Sequence, residues 1–105
     1  MSDIGKTLAE RGARYGDFAD HAFIAQVLKA IMSGNFSGLP RENANIKKGW
    51  ERLSFTQRQA LEVIADKIAR ILNGDPNYAD NWHDIAGYAK LAEDRVTPNQ
   101  GTQNG

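Results

Sequence analysis

Four carboxylates fall into two pairs at helical spacing, Glu62 with Asp66 and Asp80 with Asp84. Residues four apart share one face of a helix. Two antiparallel helices carrying such pairs would bring four oxygen-rich side chains around a hard cation such as magnesium. A metal held that way activates water for attack on a phosphate anhydride. Lys67 and Arg70 stand beside the first pair, and Arg14 lies in a glycine-flanked segment, ERGARYGDF, at 10–18. Such cations either pair with Asp80 or Asp84 across the turn or hold a phosphate, helped by amides at a helix N-terminus. Trp82 points to the core of this arrangement. Tyr88 sits at its boundary, where a ring closes a pocket and presents its hydroxyl.

Each of these residues also has a structural account. Glu62 and Asp66 lie nearly opposite the apolar stripe of their helix and face water in a lone chain. Asp80 suits a helix N-terminus by charge alone. Gly87, inside a helix and away from the core, is a place for close approach by another helix or a ligand. Arg41, Lys47, Lys48, Arg52 and Arg58 surround Trp50 and Phe55, a combination that binds single-stranded nucleic acid or forms a solvated loop anchored by a buried Trp50. His21 projects into an apolar arc near Phe18 and Leu28, as a core histidine or as a ligand. No Ser-His-Asp set, glycine-rich phosphate loop or zinc spacing can be assembled, so the catalytic residues stay unassigned.

The elements that must position these groups are helices. Alternating β-branched runs and hairpin signals are missing, whereas helical periodicity is plentiful. A weak helix is expected over 2–14, with Ile4, Leu8 and Ala9 inward and Gly5 and Gly12 weakening it. Asp17 caps a second helix over 18–33, apolar around more than half its circumference and therefore covered on two sides. Gly34, Asn35, Gly38 and Pro40 mark a loop, after which Pro40 starts a short helix toward Trp50. Ser54 and Gln57 form a capping box for a third major helix. It runs to Asn73 with Ala60, Leu61, Ile64, Ile68, Ile71 and Leu72 inward and Gly74 in the left-handed position beyond. A fourth, from about 78–80 to 95, turns Trp82, Ile85, Ala86, Ala89, Ala92 and Val96 inward. The expectation is an all-α, four-helix bundle-like single domain over 1–96, dimeric, with a disordered tail over 97–105.

The 105 residues suffice for one domain with a limited core. Thirteen basic residues balance thirteen acidic ones, so no global field favours nucleic acid or membrane. The absence of cysteine removes disulfides, thiolate zinc sites and cysteine nucleophiles. No signal segment or membrane span is visible, and a cytoplasmic setting is the default.

RYGDF at 14–18 and KIARILNGDPNYADNWHDIAGYAKL at 67–91 together resemble a family of small proteins of unknown function encoded in tailed-bacteriophage and prophage genomes. The resemblance implies an all-α domain made in a bacterial cytoplasm. More remotely, the helical layout is similar to the all-α MazG-type nucleotide pyrophosphohydrolases. Their hallmark is magnesium held by paired glutamates on one helix and a Glu-x-x-Asp pair on the next. Here the second helix carries only Asp17 and Asp20, and Glu62 and Asp66 are spaced by four. On this reading Glu62, Asp66, Asp80 and Asp84 hold magnesium, Arg14, Lys67 and Arg70 hold phosphate, and Tyr88 and Trp82 line the base pocket. The alternative is a non-enzymatic phage accessory protein that binds a host protein, with single-stranded nucleic acid as a third partner class. Both of the first two readings accommodate a homodimer.

Overall fold

The structure, a computed structural model, describes residues 2–36 and 43–96. They form five helices: α1 (Ser2–Tyr15), α2 (Phe18–Ser33), α3 (Asn43–Glu51), α4 (Phe55–Asn73) and α5 (Ala79–Glu93), and no strand occurs among the described residues. The fold is all-α, and the short helix expected toward Trp50 is α3, beside the four longer helices. The helix start anticipated at Pro40 and the tail at 97–105 lie outside the described residues.

Helix ends follow local chemistry. The Asp17 carboxylate accepts the Asp20 amide at 3.3 Å and caps α2. Ser54 Oγ accepts from the Gln57 amide at 3.1 Å, while the Ser54 amide donates to Gln57 Oε1 at 2.9 Å, completing the capping box of α4. Gly74 does not take the left-handed conformation expected of it, having φ −131°. The next turn takes over at once: Asp75 Oδ1 accepts the Asn77 amide at 2.9 Å and its carbonyl accepts the Tyr78 amide at 3.2 Å.

Two other glycines do adopt positive φ, and both weld helices together. Gly34 (φ 78°) closes α2, and a Cβ there would lie 2.7 Å from the Lys47 backbone nitrogen of α3. Gly16 (φ 79°) links α1 to α2 so tightly against α4 that a Cβ would sit 1.9 Å from the Asn73 carbonyl oxygen. The Asn73 side-chain amide donates to the Asp17 carbonyl at 2.8 Å, fastening this junction to the end of α4.

Helix α4 is the centre, packed between α2 and α5, with α3 resting on α2 and α1 touching α2 and α4 only sparsely. The buried hydrophobics are Ala25, Ala60, Ala65 and Ala69. Small side chains let the helices on both sides of α4 approach, and larger ones are displaced to its faces. Three expectations change accordingly. Leu61, Ile68 and Leu72, read as inward, are 38%, 36% and 68% exposed. Ile4 and Leu8 of α1 are also exposed, because nothing among the described residues covers their stripe. The buried face of α5 centres on Asn81, with Ile85, Tyr88 and Ala92 half-buried, rather than on Trp82, Ala86 and Ala89. Trp82 is 55% exposed, drawn to the α4–α5 turn by its indole N–H, which donates to the Pro76 carbonyl at 2.8 Å.

Gly16 and Gly87 should respond oppositely to alanine. Gly16→Ala adds left-handed strain and a backbone clash, and is expected to cost about 2 kcal/mol or more. At Gly87 a Cβ would meet no atom of the described residues within 4 Å, so no close approach among them needs the glycine. Gly87→Ala is expected to gain about 0.5–1 kcal/mol from helix propensity. Urea denaturation of both variants measures the two signs.

Candidate functional site

The weld at Gly16 sets the start of α2 beside the end of α4, and α1 closes the third side. A groove of about 330 Å³ results. Leu8 and Gly12 of α1 form one wall, and Gly16, Asp17, Phe18 and His21 form another. Arg70 reaches in from α4. The first residue of α2, Phe18, is 80% exposed, and its ring stacks with His21 at 6.1 Å between centroids and 25° between planes. A groove of this size, with aromatic and aliphatic walls and one guanidinium, suits a ligand that carries both a flat ring and an anion.

Neighbouring charges on α4 are engaged in opposite directions. Asp66 pairs with Lys29 of α2 at 3.0 Å, and Lys67 with Asp84 of α5 at 2.9 Å. The Lys67 side chain is only 13% exposed and that of Asp84 39%. The hydrogen bond from Lys67 holds the Asp84 carboxyl below its ordinary value of 3.8, against the opposing effect of burial. The positive charges of Lys67, His83 and Arg70 add to the lowering. Asp80 accepts the Tyr78 hydroxyl at 2.9 Å in the first turn of α5.

These engagements undo the expected magnesium cage. Glu62, Asp66, Asp80 and Asp84 do not converge, because Asp66 is drawn toward α2 and Asp84 toward Lys67. Among the described residues no three His, Asp or Glu side chains are grouped to hold a metal. The phosphate-binding set divides as well. Arg70 lines the groove, Lys67 is committed to Asp84, and the Arg14 side chain lies outside those described. Tyr88 lines a different groove of about 360 Å³ with Phe55, Leu91 and Arg95, so it does not share a site with Arg70. Trp82 remains at the α4–α5 turn.

In the basic-aromatic segment, Arg58 is held by its neighbours. The Arg58 guanidinium lies 6.0 Å from the Trp50 ring and 5.9 Å from the Phe55 ring. It also donates to the Trp50 and Glu51 carbonyls at 3.2 and 3.0 Å, which makes it a brace between α3 and α4. Sequence reasoning did not assign Leu8, Gly12, Gly16, Phe18 or His21 to a site with Arg70. The usable signal was the RYGDF segment, where a glycine-aspartate turn sits between a tyrosine and a phenylalanine.

A family model described as a domain of unknown function (DUF6378) matches residues 6–96. No curated protein and no solved structure matches the chain.

Because its pKa is lowered by folding, Asp84 contributes stability above about pH 3.8 and loses it as acid titrates the carboxylate through the lowered value. A carboxyl-carbon NMR titration should place the Asp84 midpoint below 3.8 and return it toward 3.8 in Lys67→Met. Asp84→Asn should destabilise more than Lys67→Met, since it strands a largely covered ammonium.

Proposed function

We propose that this chain, which belongs to the DUF6378 family, binds a nucleotide in the groove between α1, the start of α2 and the end of α4. One observation carries the reading: Arg70 and the stacked Phe18–His21 pair face the same groove. A base finds aromatic and aliphatic surface there, and a phosphate finds a guanidinium whose planar fork matches its oxygens. The similarity to MazG-type proteins supports the same ligand class. The similarity to tailed-phage proteins supports a phage or prophage origin and a bacterial cytoplasmic setting.

The activity proposed is binding, not hydrolysis. Asp17 is the one carboxylate among the described residues that line the groove, and it already caps α2. Glu62, Asp66, Asp80 and Asp84 do not line it. A metal arriving with the nucleotide would be held mainly by the nucleotide's own phosphates.

A second reading rests on a separate observation, the large apolar side chains left in water, among them Phe55 at 85% and Phe23 at 70%. It makes the chain a non-enzymatic accessory protein that docks on a host protein. Charged substitutions at Phe23 and Phe55 that leave every host-protein interaction intact would remove it.

Titration with deoxynucleoside and ribonucleoside triphosphates, with and without magnesium, tests the first reading by amide NMR. Shifts should cluster at residues 8–21 and at Arg70. Arg70→Ala should weaken binding about tenfold or more, the worth of a charge-assisted hydrogen bond. Phe18→Ala should weaken nucleotides but not inorganic triphosphate. Absence of shifts at millimolar nucleotide, or affinity indifferent to Arg70→Ala, defeats the assignment.

A further inference from the structure

Independently of nucleotide binding, the central helix carries an apolar seam that nothing among the described residues covers. Helical rotation of about 100° per residue places Leu61, Ile68 and Leu72 within roughly 40° of one another. Ala60 and Lys67, toward α5, lie to one side of that arc. Ala69 and Asp66, toward α2, lie to the other. The spacing of seven and then four is that of a helix-packing stripe. Here it occupies the middle of a helix that already has neighbours on both flanks. Those flanking helices contribute further exposed apolar side chains, Ile31 from α2 and Trp82 from α5.

We propose that this seam is the contact surface for a second copy of the chain, the α4 helices meeting across a two-fold axis. Area favours that occupant. With about 200 Å² for a large side chain, the exposed fractions of these five residues leave on the order of 450 Å² of apolar surface in water. That is more than half of the roughly 800 Å² each partner contributes to a stable interface, before any polar rim is counted.

Charge and core agree. The chain carries thirteen charges of each sign, so two copies meet without net repulsion. The hydrophobic side chains it fully buries are alanines, each worth only about 0.8 kcal/mol per methyl. An isologous contact needs one self-complementary patch, and a seam along the central helix supplies it.

Sedimentation equilibrium at tens of micromolar should give a dimer. Leu72→Glu and Ile68→Glu should each raise the dissociation constant about tenfold or more. Phe55→Glu, off the seam, should leave it unchanged. Because the chain lacks cysteine, single substitutions Leu61→Cys, Ile68→Cys and Leu72→Cys give a readout that does not depend on tolerating a charge. At least one should form an intermolecular disulfide in dilute solution, and Phe55→Cys should not. A wild-type monomer, or association indifferent to both glutamates with no crosslink at any seam position, overturns the proposal. So does a partner found on the seam in place of a second copy.

Discussion

The constraint that organises this molecule is that one helix, α4, must accept neighbours on two sides at once. It does so through alanine. Ala60, Ala65 and Ala69 on α4 and Ala25 on α2 are the buried hydrophobic positions, and a methyl group is small enough for helix axes to come close. Leu61, Ile68 and Leu72 cannot occupy the same contacts, so they emerge on the face between its neighbours, while Val63, Ile64 and Ile71 are half-buried. The described helices consequently form a bundle-like layer about two helix diameters deep, its smallest extent being 24 Å.

Two ion pairs fix how α4 is turned within that layer. Asp66 and Lys67 are adjacent in sequence yet reach opposite neighbours, Lys29 on α2 and Asp84 on α5. Rotating α4 to improve one pair would open the other. Half-covered ion pairs contribute modest net stability after desolvation, so their worth here lies in register. The same pairs decide the chemistry. Carboxylates spent on lysines inside the layer are lost to a metal, while Arg70, one turn beyond Lys67, lies where α1 and α2 converge on the end of α4.

Much of the fold was legible because caps and helical periodicity are local. Asp17, Gly34 and the Ser54–Gln57 box each act within four residues, and each appears where the sequence placed it. The candidate site was less legible, since it depends on which apolar face of a helix meets its own chain. Leu61, Ile68 and Leu72 have the same periodicity whether they cover a neighbour in the chain or await one outside it. Trp82 was misplaced for a related reason. Hydrophobicity sends an indole inward, but its single N–H found the Pro76 carbonyl at the turn. Asn81 took the buried position instead, a choice no apolar pattern signals. The groove brings together residues 8–21 and 70, a long-range meeting imposed by the fit of Gly16 against Asn73.

That fit ties the groove to the least secured element of the fold. Residues 4–10 of α1 are all exposed, and the helix touches α2 and α4 only lightly. One wall of the groove, Leu8 and Gly12, therefore rests on a helix with little burial of its own, while the opposite wall rests on the welded α2–α4 junction. Anything that bridges the two walls binds the docked arrangement of α1 better than an undocked one. By linkage, it must stabilise that arrangement to the same extent. Affinity in such a groove is reduced by the work of holding α1 in place. The contacts that anchor α1 and the contacts that hold the ligand are thus parts of a single equilibrium.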